Sequence, residues 1–398
     1  MKEHRLWSKE YIYICISSFF LFMTFYSQMT VLPLLVINRF GGSGQQGGLT
    51  MTMFLLGSVI FRPFAGKWID ELGRKKMLLI SLSLFLAASI MYIEVKSLSS
   101  LLILRFIHGI GFALANTTLY TVVADLVPEK RRGEGLGYFS TFMSLAMVIG
   151  PFLGLTMIAS SSFNLFFIIT AIFAVLSFLF GNILPIPKTL GKENVIVKEY
   201  QGLKEYFEPN VVTIALASSF VSFAYAGIST FSSIYAKQIG VSEVAAYFFV
   251  SYAIMLILSR PFVGKLFDRS GANTVIYPAF FILIVGIISL ALAKGPFVFL
   301  VSGAIIGLGN GTLYSSLQTM AVSLCPGNRR GVATSTYFLI YDTGMGLGAF
   351  ILGMIAAHTS YHLMYFVSAL IVLISTLCYY TLCHRKINSI DNHTQRAA

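Results

Sequence analysis

The sequence predicts an all-α integral membrane protein in which two pseudo-symmetric six-helix bundles follow one another along the chain. Three observations carry this prediction: twelve long apolar runs, a composition poor in charge, and an internal repeat. Of the 398 residues, 56% are hydrophobic and only 11% are charged, and the mean hydropathy is +0.79. A soluble domain carries roughly 25% charged residues, so this composition indicates a lipid bilayer.

The apolar runs are predicted to be helices rather than strands of a membrane barrel. A helix that crosses the hydrocarbon core needs about 20 mainly apolar residues. Barrel strands alternate in hydrophobicity over roughly ten residues, whereas these runs are continuously apolar and longer. We predict spans at Tyr11–Ile37, Gly48–Ile69, Met77–Ile93, Ser99–Ala124, Gly135–Ala159, Phe163–Ile183, Val211–Ala236, Ala245–Phe267, Asn273–Ala293, Phe297–Val322, Val332–Ala357 and His362–Leu382.

A polar motif closes the second predicted span and returns at the end of the eighth. Its shared residues lie 198 positions apart. Arg62, Pro63, Gly66, Lys67, Asp70 and Gly73 have counterparts at Arg260, Pro261, Gly264, Lys265, Asp268 and Gly271. This period is far longer than that of a solenoid repeat and indicates a duplicated half. We predict bundles over residues 1–184 and 209–398, the second with a short cytoplasmic tail, and a cytoplasmic linker over 185–208.

Lysine and arginine predict the orientation, because basic residues concentrate in cytoplasmic loops. Twelve spans place both termini on the same side. The termini, the linker and the loops on that side hold 21 of the 28 basic residues, whereas the opposite loops hold four. We therefore expect a multi-pass protein of the cell membrane, bacterial in origin, with both termini in the cytoplasm.

Composition and motifs also exclude several classes of function. The net charge of +12 does not indicate nucleic-acid binding, because the basic residues lie in short clusters between apolar spans. The four cysteines form no CxxC pair, so no metal site is predicted. No GxxxxGK[ST] phosphate loop is present, which argues against an ATP-driven pump. We expect no cofactor and no enzymatic activity.

The first copy of the motif resembles a loop of the major facilitator superfamily. Residues Gly66, Asp70, Gly73, Arg74 and Lys75 match the pattern Gly-x-x-x-Asp-Arg-x-Gly-Arg-Lys/Arg, which joins the second and third helices of that family. Glu71 departs from the pattern. The resemblance covers the whole chain and implies two six-helix halves, an architecture for which this superfamily is the standard example.

Two further stretches resemble the twelve-helix drug–proton antiporters of this family. Arg105 is followed by Gly109-x-Gly111 in the fourth span, as in that subgroup, with His108 where glutamine is common. The fifth span resembles the antiporter motif, with Ala146 and Leu155 in place of two glycines. The resemblance assigns helix packing and gating to three residues of this motif: Gly150, Pro151 and Gly154.

The resemblance also implies a conformational latch at the repeated motif. Asp70, expected just past the end of the second helix, would reach the start of the eleventh near Arg330. Arg74 would reach Asp125 at the end of the fourth helix, and Gly66, Gly73 and Asp268 complete the set. The alternative is that these charges only fix the orientation of the chain.

Charge inside the membrane is expensive and marks pathways or relays. Asp342, in the eleventh span, is the one acid placed deep in the bilayer by the predicted topology. We expect it to bind the coupling proton, and Arg105 and His108 to tune it or to hold an anionic group of the substrate. The alternative is buried polar groups that serve helix packing. Several drug–proton antiporters keep an acid in the first or seventh helix, and this chain does not.

Polar and aromatic residues predict a central cavity. The candidates are Gln28, Tyr225, Tyr252, Asn310, Tyr314 and Tyr341. The alternative for each is a hydrogen bond between helices. We expect Arg62 and Arg260 to reach the cytoplasmic surface of the membrane from their helix ends rather than a substrate.

These observations predict a secondary transporter that exports a small amphipathic or zwitterionic molecule in exchange for protons, working as a monomer. The molecule would be a drug, or a compound that the cell makes, such as a secreted metal chelator. Three alternatives remain: a proton symporter that imports a sugar or organic acid, a membrane enzyme or sensor on the same scaffold, and a passive pore.

Overall fold

The computed structural model describes residues 6–42, 44–160, 163–183 and 202–384. Over these ranges the chain is helical and contains no β-strand, and twelve of the helices are long and apolar enough to cross a membrane. The fold class predicted from the sequence is therefore confirmed. The helices are α1 Lys9–Phe40, α2 Gly44–Leu72, α3 Arg74–Met91, α4 Leu98–Leu126, α5 Arg132–Ser160, α6 Phe163–Asn182, α7 Pro209–Gln238, α8 Ala245–Ser270, α9 Ala272–Ala291, α10 Pro296–Ser323, α11 Arg330–His358 and α12 Tyr361–Leu382.

Two glycines set the ends of α2 and α8. Gly73 and Gly271 have φ of 86° and 83°. Backbone conformations with φ in this range are unfavourable for residues that carry a Cβ atom. Asp70 and Asp268 therefore lie in the last turn of each helix, and the expectation that they lie just past the helix ends is wrong. Hydropathy marks where the apolar segment ends, whereas the helix continues until a residue breaks it.

The chain divides into two compact units, and each unit takes in a short piece from the other half of the sequence. Unit 1 comprises Met1–Pro128, Phe142–Glu208 and Pro326–Thr336, and unit 2 comprises Glu129–Thr141, Pro209–Cys325 and Tyr337–Ala398. The first residues of α11 thus belong with unit 1, and the first residues of α5 with unit 2. Most of the predicted linker and of the predicted tail lies outside the described residues.

Equivalent glycines bring equivalent helices together within each unit. A Cβ atom on Gly109 of α4 would lie 2.1 Å from the carbonyl oxygen of Phe54 on α2. A Cβ atom on Gly307 of α10 would lie 2.2 Å from the carbonyl oxygen of Tyr252 on α8. Both members of the first pair thus have their counterparts in the second copy of the repeat. The sequence repeat is therefore also a repeat of helix packing.

Candidate functional site

The side chain of Asp70 caps the start of α11 within unit 1. Its Oδ1 accepts a hydrogen bond from the backbone N–H of Gly331 at 3.2 Å, and its Oδ2 accepts one from Val332 at 2.9 Å. The first N–H groups of a helix have no partner inside the helix, and the helix dipole favours a negative charge there. Gly66 permits this approach, because a Cβ atom on it would lie 2.7 Å from the Cα atom of Val332.

Two acids and two arginines form a charge network around this cap. Arg74 donates to Asp70 and to Asp125, each at 2.9 Å, and to the carbonyl oxygen of Gly327 at 2.8 Å. Arg330 donates to the other oxygen of Asp125 at 2.7 Å. The Asp125 side chain is only 1% exposed. Charge-assisted bonds of this kind are short and strong, and the network is balanced in charge.

Asp268 makes the corresponding cap in unit 2. Its two carboxylate oxygens accept hydrogen bonds from the backbone N–H groups of Gly133 at 2.7 Å and Glu134 at 3.0 Å, at the start of α5. A Cβ atom on Gly264 would lie 2.7 Å from the Cα atom of Glu134. The aspartate, the two N–H groups that it accepts from and the glycine beside them all stand at repeat positions of the residues that form the Asp70 cap.

The charged groups around the second cap differ from those around the first: Arg131 binds Glu134 at 2.7 Å, and the Arg131 side chain is 37% exposed. Ala272 stands at the repeat position of Arg74, and Ser323 stands at the repeat position of Asp125. Arg132 stands at the repeat position of Arg330. It donates to Glu129 at 3.2 Å, and the Glu129 side chain is 75% exposed. Exposed ion pairs contribute little, so the two caps share a geometry but differ in electrostatic support.

A buried ion pair ties residues 202–208 to the same part of unit 1. Arg329 donates through Nε to Glu208 at 2.7 Å, and the two side chains are 8% and 7% exposed. The same guanidinium donates to the carbonyl oxygens of Lys204 and Phe207. Sequence reasoning missed this pair, because Glu208 stands at the end of a polar stretch and nothing in its surroundings indicates burial.

A second, more exposed pair lies beside it. Lys67 of α2 donates to Glu205 at 2.5 Å, and its ammonium lies 4.7 Å from the centre of the Tyr206 ring. The hydrogen bond from Lys67 lowers the pKa of the Glu205 carboxyl below its ordinary value. Residues 202–208 are thus held to α2 through Glu205 and to Arg329 through Glu208.

Arg105 of α4 is buried among polar groups of unit 1. Its Nε donates to the carbonyl oxygen of Thr50 at 3.0 Å, and Nη1 donates to Gln28 at 3.3 Å and to the Tyr92 hydroxyl at 3.5 Å. The guanidinium carbon also lies 4.3 Å from the centre of the Phe54 ring. Gln28, predicted to line a cavity, is thus a partner of Arg105, and its buried Nε2 has no partner among the described residues.

His108 lies one turn further along α4 and is fully buried. Its Nε2 lies 3.2 Å from the Ser89 hydroxyl and its Nδ1 lies 3.2 Å from the Tyr92 hydroxyl. The ring also packs on Phe85, with 4.4 Å between ring centres. The Tyr92 hydroxyl therefore joins His108 to Arg105, and Arg105 in turn binds Gln28. Sequence reasoning did not single out Tyr92.

The five remaining cavity candidates lie together in unit 2. The rings of Tyr225 and Tyr252 are 5.9 Å apart, and those of Tyr314 and Tyr341 are 5.4 Å apart. Asn310 donates to the Tyr252 hydroxyl at 2.8 Å. We call these five residues the tyrosine cluster. Its members come from α7, α8, α10 and α11, so it presents hydroxyl groups and aromatic faces from four helices.

Asp342 directly follows this cluster on α11 and is half-buried. Its charge acts on Tyr337, whose hydroxyl lies 2.6 Å from that of Ser218 on α7. Asp342 therefore belongs to unit 2, whereas Arg105 and His108, which were expected to tune it, belong to unit 1. The hydrogen-bond partners of those two side chains also lie in unit 1.

Arg260 of α8 lies where the sequence did not predict it. It was expected to reach the membrane surface, but it is only 3% exposed. Its Nη1 donates to the Ser315 hydroxyl of α10, and its charge acts on Tyr252 and Tyr314 of the tyrosine cluster. Arg62, at the equivalent position, is 2% exposed, so that expectation is wrong for both. Hydropathy reports the depth of a residue along a helix and gives no information on which side it faces.

Comparison with known proteins identifies the family. A family model described as Major Facilitator Superfamily matches residues 14–349 and, in a second match, residues 287–396. The chain belongs to the major facilitator superfamily. It is therefore a transporter of small molecules and not an enzyme, as the sequence predicted, and the twelve helices make it a multi-pass membrane protein.

Relatives and a solved structure agree with this assignment. The staphylopine export protein of Staphylococcus aureus is 23% identical over 89% of this chain and 92% of its own length. The multidrug resistance protein MdtG of Salmonella choleraesuis is 26% identical over 91% and 92%. The human organic anion transporter MFSD10 (TETRAN) superposes with a TM-score of 0.81 at 14% identity, covering 93% of this chain and 98% of that one. This last likeness shows the fold alone.

The antiporter-like motif of this superfamily member packs α5 against α1 in unit 1. The Ser27 hydroxyl of α1 donates to the carbonyl oxygen of Gly150 at 2.9 Å. Cβ atoms on Gly150 and Gly154 would lie 3.0 Å from Tyr26 and Val31, respectively. Pro151 lies inside α5 and removes one backbone donor. The glycines thus serve close packing, with a proline between them that weakens the helix locally.

Proposed function

We propose that this chain exports a small amphipathic or zwitterionic molecule in exchange for protons, by alternating access. The observation that carries the proposal is the pair of carboxylate caps: Asp70 holds the start of α11, and Asp268 holds the start of α5. Each cap ties a helix end from one half of the sequence to a helix start from the other half. Formation and release of the caps would close and open one face of the transporter, with residues 1–184 and 209–398 moving as bundles.

The direction of transport is supported by the relatives. One is named as an export protein and another as a multidrug resistance protein. The exported molecule is therefore a drug or a compound that the cell makes, such as a metal chelator. The excess of basic residues on one side of the predicted topology supports a cytoplasmic location for both termini, and we propose that the protein lies in the cell membrane of a bacterium. The transporter is proposed to work as a monomer.

Asp342 is the residue proposed to carry the proton. A carboxyl that is half-buried beside tyrosines can take up or release a proton as its surroundings change, and intramembrane acids are rare unless they serve a relay. Arg105, held with His108 and Gln28 in unit 1, is proposed to tune the coupling. The hydrogen bonds of Arg105 hold its guanidinium in one orientation. Arg105 is therefore proposed to act as a positive charge that stays in place during transport.

The experiment compares compounds released by cells that carry the wild-type gene, no gene, or Asp342→Asn. The proposal expects at least one compound that leaves only cells with the wild-type protein, and loss of that release with Asp342→Asn at unchanged protein level. Collapse of the proton gradient by a protonophore should stop the release as well. If wild-type cells instead accumulate a compound faster than deletion cells, the chain is an importer. If the protonophore has no effect, the export is not proton-coupled.

A further inference from the structure

Arg260 is a buried cation that faces no anion among the described residues. Its guanidinium makes one hydrogen bond, to the Ser315 hydroxyl, and Nε and Nη2 have no partner in the part of the chain that the structure describes. By contrast, the buried side chains of Arg74, Arg329 and Arg330 each face a carboxylate. A charge taken out of water without a partner carries a large desolvation penalty. A side chain that is only structural would not be expected to keep that penalty.

The two unpartnered nitrogens lie on the same edge of the guanidinium. Nε–H and one N–H of Nη2 point in parallel, and this pair of donors matches the two oxygens of a carboxylate or of a phosphate. The other edge of the group is held by Ser315. Nε and Nη2 therefore form one complete bidentate donor pair without a partner among the described residues, while Ser315 holds the guanidinium.

The surroundings of Arg260 suit the remainder of such a ligand. Tyr252 and Tyr314 are its electrostatic neighbours, and through them it adjoins the tyrosine cluster. Tyr314 is half-buried, whereas the Arg260 side chain is buried. Aromatic faces accept an apolar or cationic body, and the phenol hydroxyl groups can bind its polar atoms.

We propose that Arg260 binds an anionic group, a carboxylate or a phosphate, of the exported molecule, whose apolar or cationic body contacts the tyrosine cluster. The assignment rests on the export function proposed above and deepens it, since it states the charge that the substrate must carry. Arg260 is thus a substrate-binding residue, and the unpartnered edge of its guanidinium is the recognition element.

The first test is the thermal unfolding of purified Arg260→Met in detergent without added compounds. Methionine removes an unpartnered buried charge, so the midpoint should equal or exceed that of the wild type. The matched control is Arg329→Met, which leaves Glu208 buried and unpaired and should unfold several degrees lower. A fall for Arg260→Met as large as that for Arg329→Met would mean that Arg260 is structural, and would overturn the proposal. This test does not depend on any transport activity.

The second test compares the compounds released by cells that express the wild type, Arg260→Met, Arg260→Lys or Arg269→Met. Arg269 is exposed on the same helix and serves as the control. We expect the compounds released by the wild type to carry a carboxylate or a phosphate. Chemical identification of these compounds will show which of the two groups they carry. Arg260→Met should reduce that release about 30-fold or more, Arg260→Lys should restore part of it, and Arg269→Met should match the wild type.

Three results would count against the assignment. Release of neutral or purely cationic compounds only, or release of anionic compounds that Arg260→Met leaves unchanged, would overturn it while leaving the export function intact. If the wild type releases nothing that deletion cells retain, the export function fails and the ligand assignment fails with it.

Discussion

Asp70 and Asp268, equivalent residues of the two sequence repeats, each cap the start of a helix through N–H groups that are themselves equivalent. Asp70 binds Gly331 and Val332, and Asp268 binds Gly133 and Glu134. The duplicated half therefore makes the same contact twice. Among the described residues, two acids and two arginines form a buried network at the Asp70 cap, whereas Arg131 beside the Asp268 cap is 37% exposed, so we expect the two caps to differ in strength.

The central member of that network is Asp125, which two arginines share. Asp125→Asn leaves Arg74 and Arg330 without a common counter-charge. Removal of one partner from a buried ion pair costs about 3–5 kcal/mol, so a large fall in the unfolding midpoint is expected. Ser323 holds the equivalent position of the second half, and Ser323→Ala should change stability by no more than about 0.5 kcal/mol. Equal midpoints for the two variants would show that the asymmetry of the caps has no energetic consequence.

Close approach at the caps depends on two glycines. Gly66→Ala and Gly264→Ala each place a methyl group 2.7 Å from a backbone Cα atom of the partner helix, and backbone cannot move aside without separating the helices. Both variants should lose most of their transport in cell-based release assays. Gly137→Ala is the control, because its nearest neighbour would lie at 3.8 Å and alanine favours a helix by up to about 1 kcal/mol. Normal transport by Gly66→Ala would contradict this reading of the cap.

The two ion pairs that fasten residues 202–208 should differ in importance. Glu208→Gln breaks a buried pair with Arg329 and should destabilise the protein by about 3–5 kcal/mol. Glu205→Gln breaks a partly exposed pair with Lys67, and its effect should be small and should vanish at high salt. Unfolding midpoints at low and high salt measure both. A larger effect for Glu205→Gln would reverse the assignment.

The pH dependence of the Glu205 pair has a definite sign. The pKa of Glu205 is lower in the folded protein than its ordinary value of 4.5, so the carboxylate is favoured by folding. The pair therefore contributes at neutral pH, and its contribution disappears as the pH falls through the folded-state pKa. The difference in midpoint between the wild type and Glu205→Gln should shrink on acidification below pH of about 4. A difference that grows on acidification would contradict the contact.

The sequence was sufficient for the fold, because the length of the apolar runs defines the helices and the long internal repeat defines their duplication. It also pointed to Asp70, Arg74 and Asp125, because the loop motif resembles that of the major facilitator superfamily and the resemblance implies contacts at these residues. The burial of Arg260 could not be predicted, since a hydropathy pattern is blind to the direction in which a side chain points. Tyr92 was missed for a related reason: its hydroxyl acquires importance only from helices that pack against it.

We propose that substrate leaves in exchange for protons that Asp342 carries. The most direct measurement uses proteoliposomes that are loaded with a compound released by wild-type cells and with a trapped pH-sensitive dye, then diluted into compound-free buffer. Antiport in either orientation carries protons inward as the compound leaves, so the lumen should acidify with the wild type and stay unchanged with Asp342→Asn. A lumen that turns alkaline, or equal acidification by the two proteins, would contradict the account.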